Sequence, residues 1–117
     1  MPQTTQYVSA AYAKKFYGIT VIPAPPTAGA PVVNTQTMQN LLPITLNETV
    51  GTVTASNTPT SWAIASGGGG SYAISNAGVI TCTAAGVTNI NAGTDYLLIS
   101  AINASGTGQA VITIETT

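Results

Sequence analysis

The chain has 117 residues, one cysteine, no histidine and only five charged side chains, Lys14, Lys15, Glu48, Asp95 and Glu115, for a net charge of −1. One domain of ordinary size fits that length and a second does not. Charge is 4% of the chain against roughly 25% in an average soluble domain, which excludes the basic patch that nucleic-acid binding needs, and no apolar run approaches the about 20 residues of a membrane span.

The first 40 residues differ in kind from the rest and read as an extended arm, 1–40. Residues 6–17 carry three of the five tyrosines and the only phenylalanine, and their alanines allow a short helix of about three turns. Such a helix is marginal alone. The proline-rich stretch 22–31 that follows sustains neither a helix nor a central strand, so it runs extended in a polyproline-like form. Holding such a segment costs about 1–2 kcal/mol of backbone entropy per residue. Its apolar side chains, Tyr7, Tyr12, Phe16, Tyr17 and Ile22, are therefore expected to dock onto a partner protein, with folding back onto the arm's own domain as the alternative. Nothing between Met1 and Gly18 has the basic start, apolar run and cleavage site of a secretory signal, so none is expected.

Residues 41–117 read as an all-β sandwich of seven strands, at about 43–48, 50–55, 61–66, 71–75, 78–84, 95–103 and 108–116. Val50, Thr52 and Thr54 alternate with Gly51, Val53 and Ala55, and Ala110, Ile112 and Ile114 alternate with Val111, Thr113 and Glu115. One face of each run can point to a core. Turn-forming clusters separate the strands, among them Asn57-Thr58-Pro59, Gly67 to Gly70, Asn76-Ala77-Gly78 and Ser105-Gly106. No helical period competes. The run from Tyr96 to Ile102 is apolar on both faces. With Leu97, Ile99 and Ala101 inward, Leu98 and Ile102 face outward and are expected to meet the arm or another subunit.

Chemistry finds little purchase. A serine, threonine or cysteine nucleophile usually needs a base, and there is no histidine to serve as one. Cys82, in step with Ile80, reads as a small buried hydrophobe. Glu48, Asp95 and Glu115 fall in separate elements, one cysteine cannot build a zinc site, and Gly67 to Gly70 lack the lysine and helix of a phosphate cradle, so they read as a hairpin loop. Asn47-Glu48-Thr49 and Asn103-Ala104-Ser105 match the glycosylation pattern, which arises easily in so Asn- and Thr-rich a chain. Trp62 is expected to pack under the sheets. No enzyme, cofactor or metal is expected.

Glu48 to Ala55, Tyr72-Ala73-Ile74-Ser75 with Gly78-Val79-Ile80-Thr81, and Tyr96 through Asn103-Ala104-Ser105-Gly106 into Ile114 resemble the strand patterns of cadherin-like repeats and of immunoglobulin-like domains in bacterial and phage surface proteins. The resemblance covers about 70 residues and implies a seven-stranded immunoglobulin-like or cadherin-like sandwich used for spacing, adhesion or decoration. True cadherin repeats bind calcium between domains with several carboxylates. Here only Glu48 matches, and Asn57 and the Asn103-Ala104-Ser105-Gly106 turn stand where the others would be. Calcium takes six to eight oxygens, usually with several carboxylates, so no calcium site is expected.

An arm with one such domain is similar in architecture to the small decoration and head-fibre proteins of tailed phages. The expectation is a virion structural protein on the capsid surface, with a major capsid protein and further copies of itself as partners, and with no nucleic acid and no membrane. The alternatives are an extracellular or cell-surface adhesion or carbohydrate-binding module, and a filament or tail-tube subunit whose arm completes a neighbour's sheet.

Overall fold

The computed structural model describes residues 29–117. The short helix expected at 6–17, most of the proline-rich stretch, and Tyr7, Tyr12, Phe16, Tyr17 and Ile22 lie outside the described residues.

A long hairpin forms the spine of the fold. β6 (Gly93–Asn103) and β7 (Gly106–Thr116) pair antiparallel along their whole length, from Gly93 opposite Thr116 to Asn103 opposite Gly106. Their inward positions, Leu97, Ile99, Ala101, Ile112 and Ile114, are fully buried, and Ser100 on the opposite face of β6 is buried as well. β3 (Ser61–Gly67) pairs antiparallel with β6, and β1 (Thr37–Asn40) pairs parallel with β7, giving a four-stranded sheet in the order β1-β7-β6-β3. β2 (Thr49–Thr52), β5 (Val79–Cys82) and β4 (Tyr72–Ile74) form a second, antiparallel sheet in the order β2-β5-β4. Seven strands in two sheets thus face one core, to which the first sheet gives Met38, Leu97, Ile99, Ile112 and Ile114 and the second gives Val50, Tyr72, Ile80 and Cys82. Trp62 is half-buried on the inward face of β3, opposite Ala101.

Several expectations need correction. No strand occupies 43–48: the Leu42–Pro43 peptide is cis, Asn47 takes φ 63, and Glu48 N donates to Thr45 O at 3.1 Å, closing a turn. Proline has no N–H for a ladder, and this segment contributes a buried side chain, Ile44, in place of a strand. The seventh strand is β1, inside the segment read as arm. Val33, bridged to Ala55, is buried as well, so residues 29–40 pack into the sandwich and its start lies well before residue 41.

The alternation of Val50, Thr52 and Thr54 also breaks. Val50 and Val53 are both buried while Thr52 and Thr54 are exposed, because the register shifts between Thr49 and Gly51 and the strand ends at Thr52. Gly67 to Gly70 do not close a hairpin: β3 and β4 belong to different sheets, and the glycines make the crossover, with a 3-10 turn at Gly68–Gly70. All four have positive φ, and a Cβ at Gly68 would press on Leu97 and Tyr72, so a side chain is barred by both backbone and core. Lastly, residue 84 does not end a strand but starts a helix, α1 (Ala84–Asn89), whose N-cap Thr83 accepts from Gly86 N at 3.2 Å.

Candidate interaction surface

The outer face of the four-stranded sheet is set by the hairpin register. Residues directly opposite share a face, so the burial of Leu97 and Ile112 turns their neighbours Leu98 and Val111 outward as a pair. One step along, Tyr96 lies opposite Thr113, and Thr113 lies opposite Thr37 of β1. In the other direction Ser100 lies opposite Gln109, and Ile102 opposite Thr107. The face therefore carries an apolar stripe, Tyr96, Leu98 and Val111, with Ile102 at its rim and hydroxyls and amides around it.

Exposure decides what the stripe offers. Tyr96 is 61% exposed, Val111 47% and Ile102 38%, while Leu98 is half-buried. The polar frame is hydrogen-bonded within itself: Gln109 Nε2 donates to Ser100 Oγ at 2.8 Å, and Gln39 Nε2 donates to Glu115 Oε1 at 2.7 Å. Among the described residues Glu115 is the only charge on this face, and its carboxylate is partly occupied by that bond. The structure thus places Leu98 and Ile102 on one outer face, as the sequence reading had them, and adds Tyr96 and Val111. The missing pair was recoverable from the Asn103-to-Gly106 turn, which fixes that Val111 opposes Leu98.

A second apolar region lies beyond the other end of the hairpin. Leu42, Leu46 and Val87 are exposed around a shallow concavity between the 42–46 segment and α1, and Leu41 is exposed just before it. No sequence signal joined these residues, since α1 was not foreseen.

The remaining reactive groups are tied up. Cys82 is fully buried, its thiol donates to Thr83 O at 3.2 Å, and burial, with a lesser push from the Glu48 charge, raises its pKa. Glu48 Oε1 accepts from Thr45 N at 3.0 Å and from Thr45 Oγ1 at 3.1 Å, and Asp95 Oδ2 accepts from Tyr72 OH at 2.5 Å. Among the described residues no three side chains of His, Cys, Asp or Glu come together.

No family model matches the chain, and no curated protein matches it in sequence. Its fold is similar to that of solved cadherin structures. A protocadherin gammaB7 EC3-6 structure gives a TM-score of 0.62 at 13% identity, covering 76% of this chain and 23% of its own. Mouse protocadherin-24 EC1-3 gives 0.61 at 18% identity, with 84% and 36% covered, and Drosophila N-cadherin EC1-4 gives 0.57 at 13%, with 75% and 24% covered. The chain thus spans between about a quarter and a third of the length of these structures, and the likeness is one of fold. The calcium site that the sequence resemblance raises does not fit the donors among the described residues. Glu48 precedes β2 while Asn57 follows it, so the two stand at opposite ends of that strand; Glu48 Oε1 is taken up by Thr45, and Asn103 Oδ1, the atom that could ligate, already accepts from two main-chain N–H groups.

Proposed function

We propose that the chain is a non-enzymatic structural protein that works by docking onto other protein. The observation that carries this reading is the outer face of the four-stranded sheet, where Tyr96, Leu98, Val111 and Ile102 lie exposed or half-exposed in a frame with a single charge among the described residues. An apolar stripe framed by satisfied amides and hydroxyls suits a flat protein interface, and little charge repulsion opposes its burial. The specific form we propose is a virion decoration or head-fibre protein, held on a capsid shell by its N-terminal arm through Tyr7, Tyr12, Phe16, Tyr17 and Ile22, with Leu98 and Ile102 meeting the shell or a second copy. The paucity of charge and the aromatic, proline-broken leader support it.

A second reading, a cell-surface adhesion module, is favoured by the likeness to cadherin ectodomain repeats. One experiment separates them. The full chain, its Tyr96→Lys and Val111→Lys variants and a chain lacking residues 1–28 are compared for co-sedimentation with assembled shells and for binding to a glycan array. The virion reading expects shell binding that falls about tenfold or more in the lysine variants, roughly 1.4 kcal/mol of lost contact, and falls further without the arm. Shell binding indifferent to all three changes rejects it, and glycan binding by the full chain favours the adhesion reading.

A further inference from the structure

Where the N-terminal leader meets the sandwich, two asparagine side chains grip its main chain. Asn57 Nδ2 donates to Ala30 O at 2.9 Å, and Asn103 Nδ2 donates to Gly29 O at 2.9 Å and to Asn57 O at 2.8 Å. Asn103 Oδ1 meanwhile accepts from Ser105 N at 2.8 Å and from Gly106 N at 3.1 Å, which ties the same carboxamide to the β6–β7 turn. A carboxamide has two donor hydrogens and two acceptor lone pairs. All four of Asn103's are engaged, which fixes its orientation.

The surroundings hold this geometry. Asn57 has φ 61, a left-handed conformation that asparagine tolerates better than most residues. Pirouetting the leader away is opposed by Ser56 N donating to Val32 O at 3.0 Å and Asn34 N donating to Thr54 O at 2.9 Å. On the other side the leader lies against β7 so closely that a Cβ at Gly108 would overlap Pro31 O. No described charge reaches this pole. Glu48 sits at the far end of β2, while Asp95 and Glu115 sit opposite Ile114 and Thr94, near the end of the hairpin remote from its turn.

We propose that Asn57 and Asn103 form a direct amide clamp that fixes residues 29 and 30 against the sandwich, so that this junction keeps its geometry without calcium and across a wide range of pH. A carboxylate and a carbonyl are both acceptors and need a cation between them. An amide N–H donates to the carbonyl directly and does not titrate, so exchanging carboxylate for carboxamide removes the ion. The clamp is independent of what the module docks onto.

The test uses the purified full chain, followed by thermal unfolding and by limited proteolysis between residues 29 and 34. Asn57→Asp and Asn103→Asp keep the shape while replacing the donor N–H groups with a carboxylate that is charged at neutral pH. The wild-type chain is expected to melt at the same temperature in millimolar calcium chloride and in EDTA. Each aspartate variant is expected to lose about 5 °C at neutral pH and to be cut sooner in the leader. At a pH below the ordinary carboxyl pKa of about 4 the deficit shrinks, because a protonated carboxyl regains a donor. A wild-type melting temperature raised by calcium, aspartate variants that melt and resist cleavage like the wild type, or a deficit undiminished in acid would each overturn the proposal.

Discussion

At Tyr72 a buried phenol spans the two sheets. The side chain is 5% exposed on β4, and its hydroxyl donates to Asp95 Oδ2 on β6. Burial first, then the hydrogen bond and negative charge of Asp95, with Cys82 adding a little, push the phenol's pKa well above its ordinary value. A raised folded-state pKa means that the native state holds its proton more tightly than the unfolded chain does. The stabilisation is therefore complete below the unfolded value of about 10 and drains away as pH rises beyond it. The raised Cys82 thiol acts in the same direction from about 8.5 upward. Melting temperature is expected to stay level through neutral pH and fall on the alkaline side, and Tyr72→Phe should flatten the part of that fall above pH 10. A melting curve series from neutral to strongly alkaline pH checks this; equal alkaline slopes in the two proteins would refute the assignment.

At the scale of elements, adjacent residues of β7 have opposite duties. Ile112 is fully buried between the sheets and Val111 faces outward. Ile112→Ala is expected to cost about 2–5 kcal/mol through lost transfer energy and a cavity, and Val111→Ala no more than about 0.5 kcal/mol, as read by urea unfolding. β1 is the element whose assignment matters most for any truncation. It brings Met38, 5% exposed, under the sheets and pairs with β7 from Thr37–Thr113 to Asn40–Thr116, while Val33 just before it is also buried. A chain beginning at residue 41 would leave β7 as a bare edge over an opened core. The clamp at Asn57 and Asn103 likewise has its acceptors in residues 29 and 30.

For the whole molecule, the scarcity of charge sets the response to salt. With two lysines, three carboxylates and a net charge of −1, there is little Coulomb energy to screen. The melting temperature is expected to change by less than about 2 °C between low salt and half-molar sodium chloride, since exposed pairs contribute only about 0–1 kcal/mol each. A larger shift, measured by calorimetry, would refute this expectation. The sheet edges bear on the docking mode. β3, one edge of the larger sheet, carries a register shift between Ile64 and Ser66 and ends in Gly67 at φ 91. Such irregularities discourage strand addition, so the flat outer face is the better docking surface than the β3 edge.

The sequence by itself determined the all-β class, the long hairpin and the inward faces of its strands, because β-branched residues at a period of two and turn residues at Asn103 to Gly106 are local signals. It also marked Leu98 and Ile102, since a run apolar on both faces has one face left over. Only the tertiary structure decided that Thr37–Asn40 is a strand, since its parallel partner lies at Thr113–Thr116, far along the chain. The same holds for Asn57 and Asn103 as a clamp on residues 29 and 30. Pairing register and side-chain hydrogen bonds between distant segments depend on which pieces the fold brings together, and no local period or propensity encodes that.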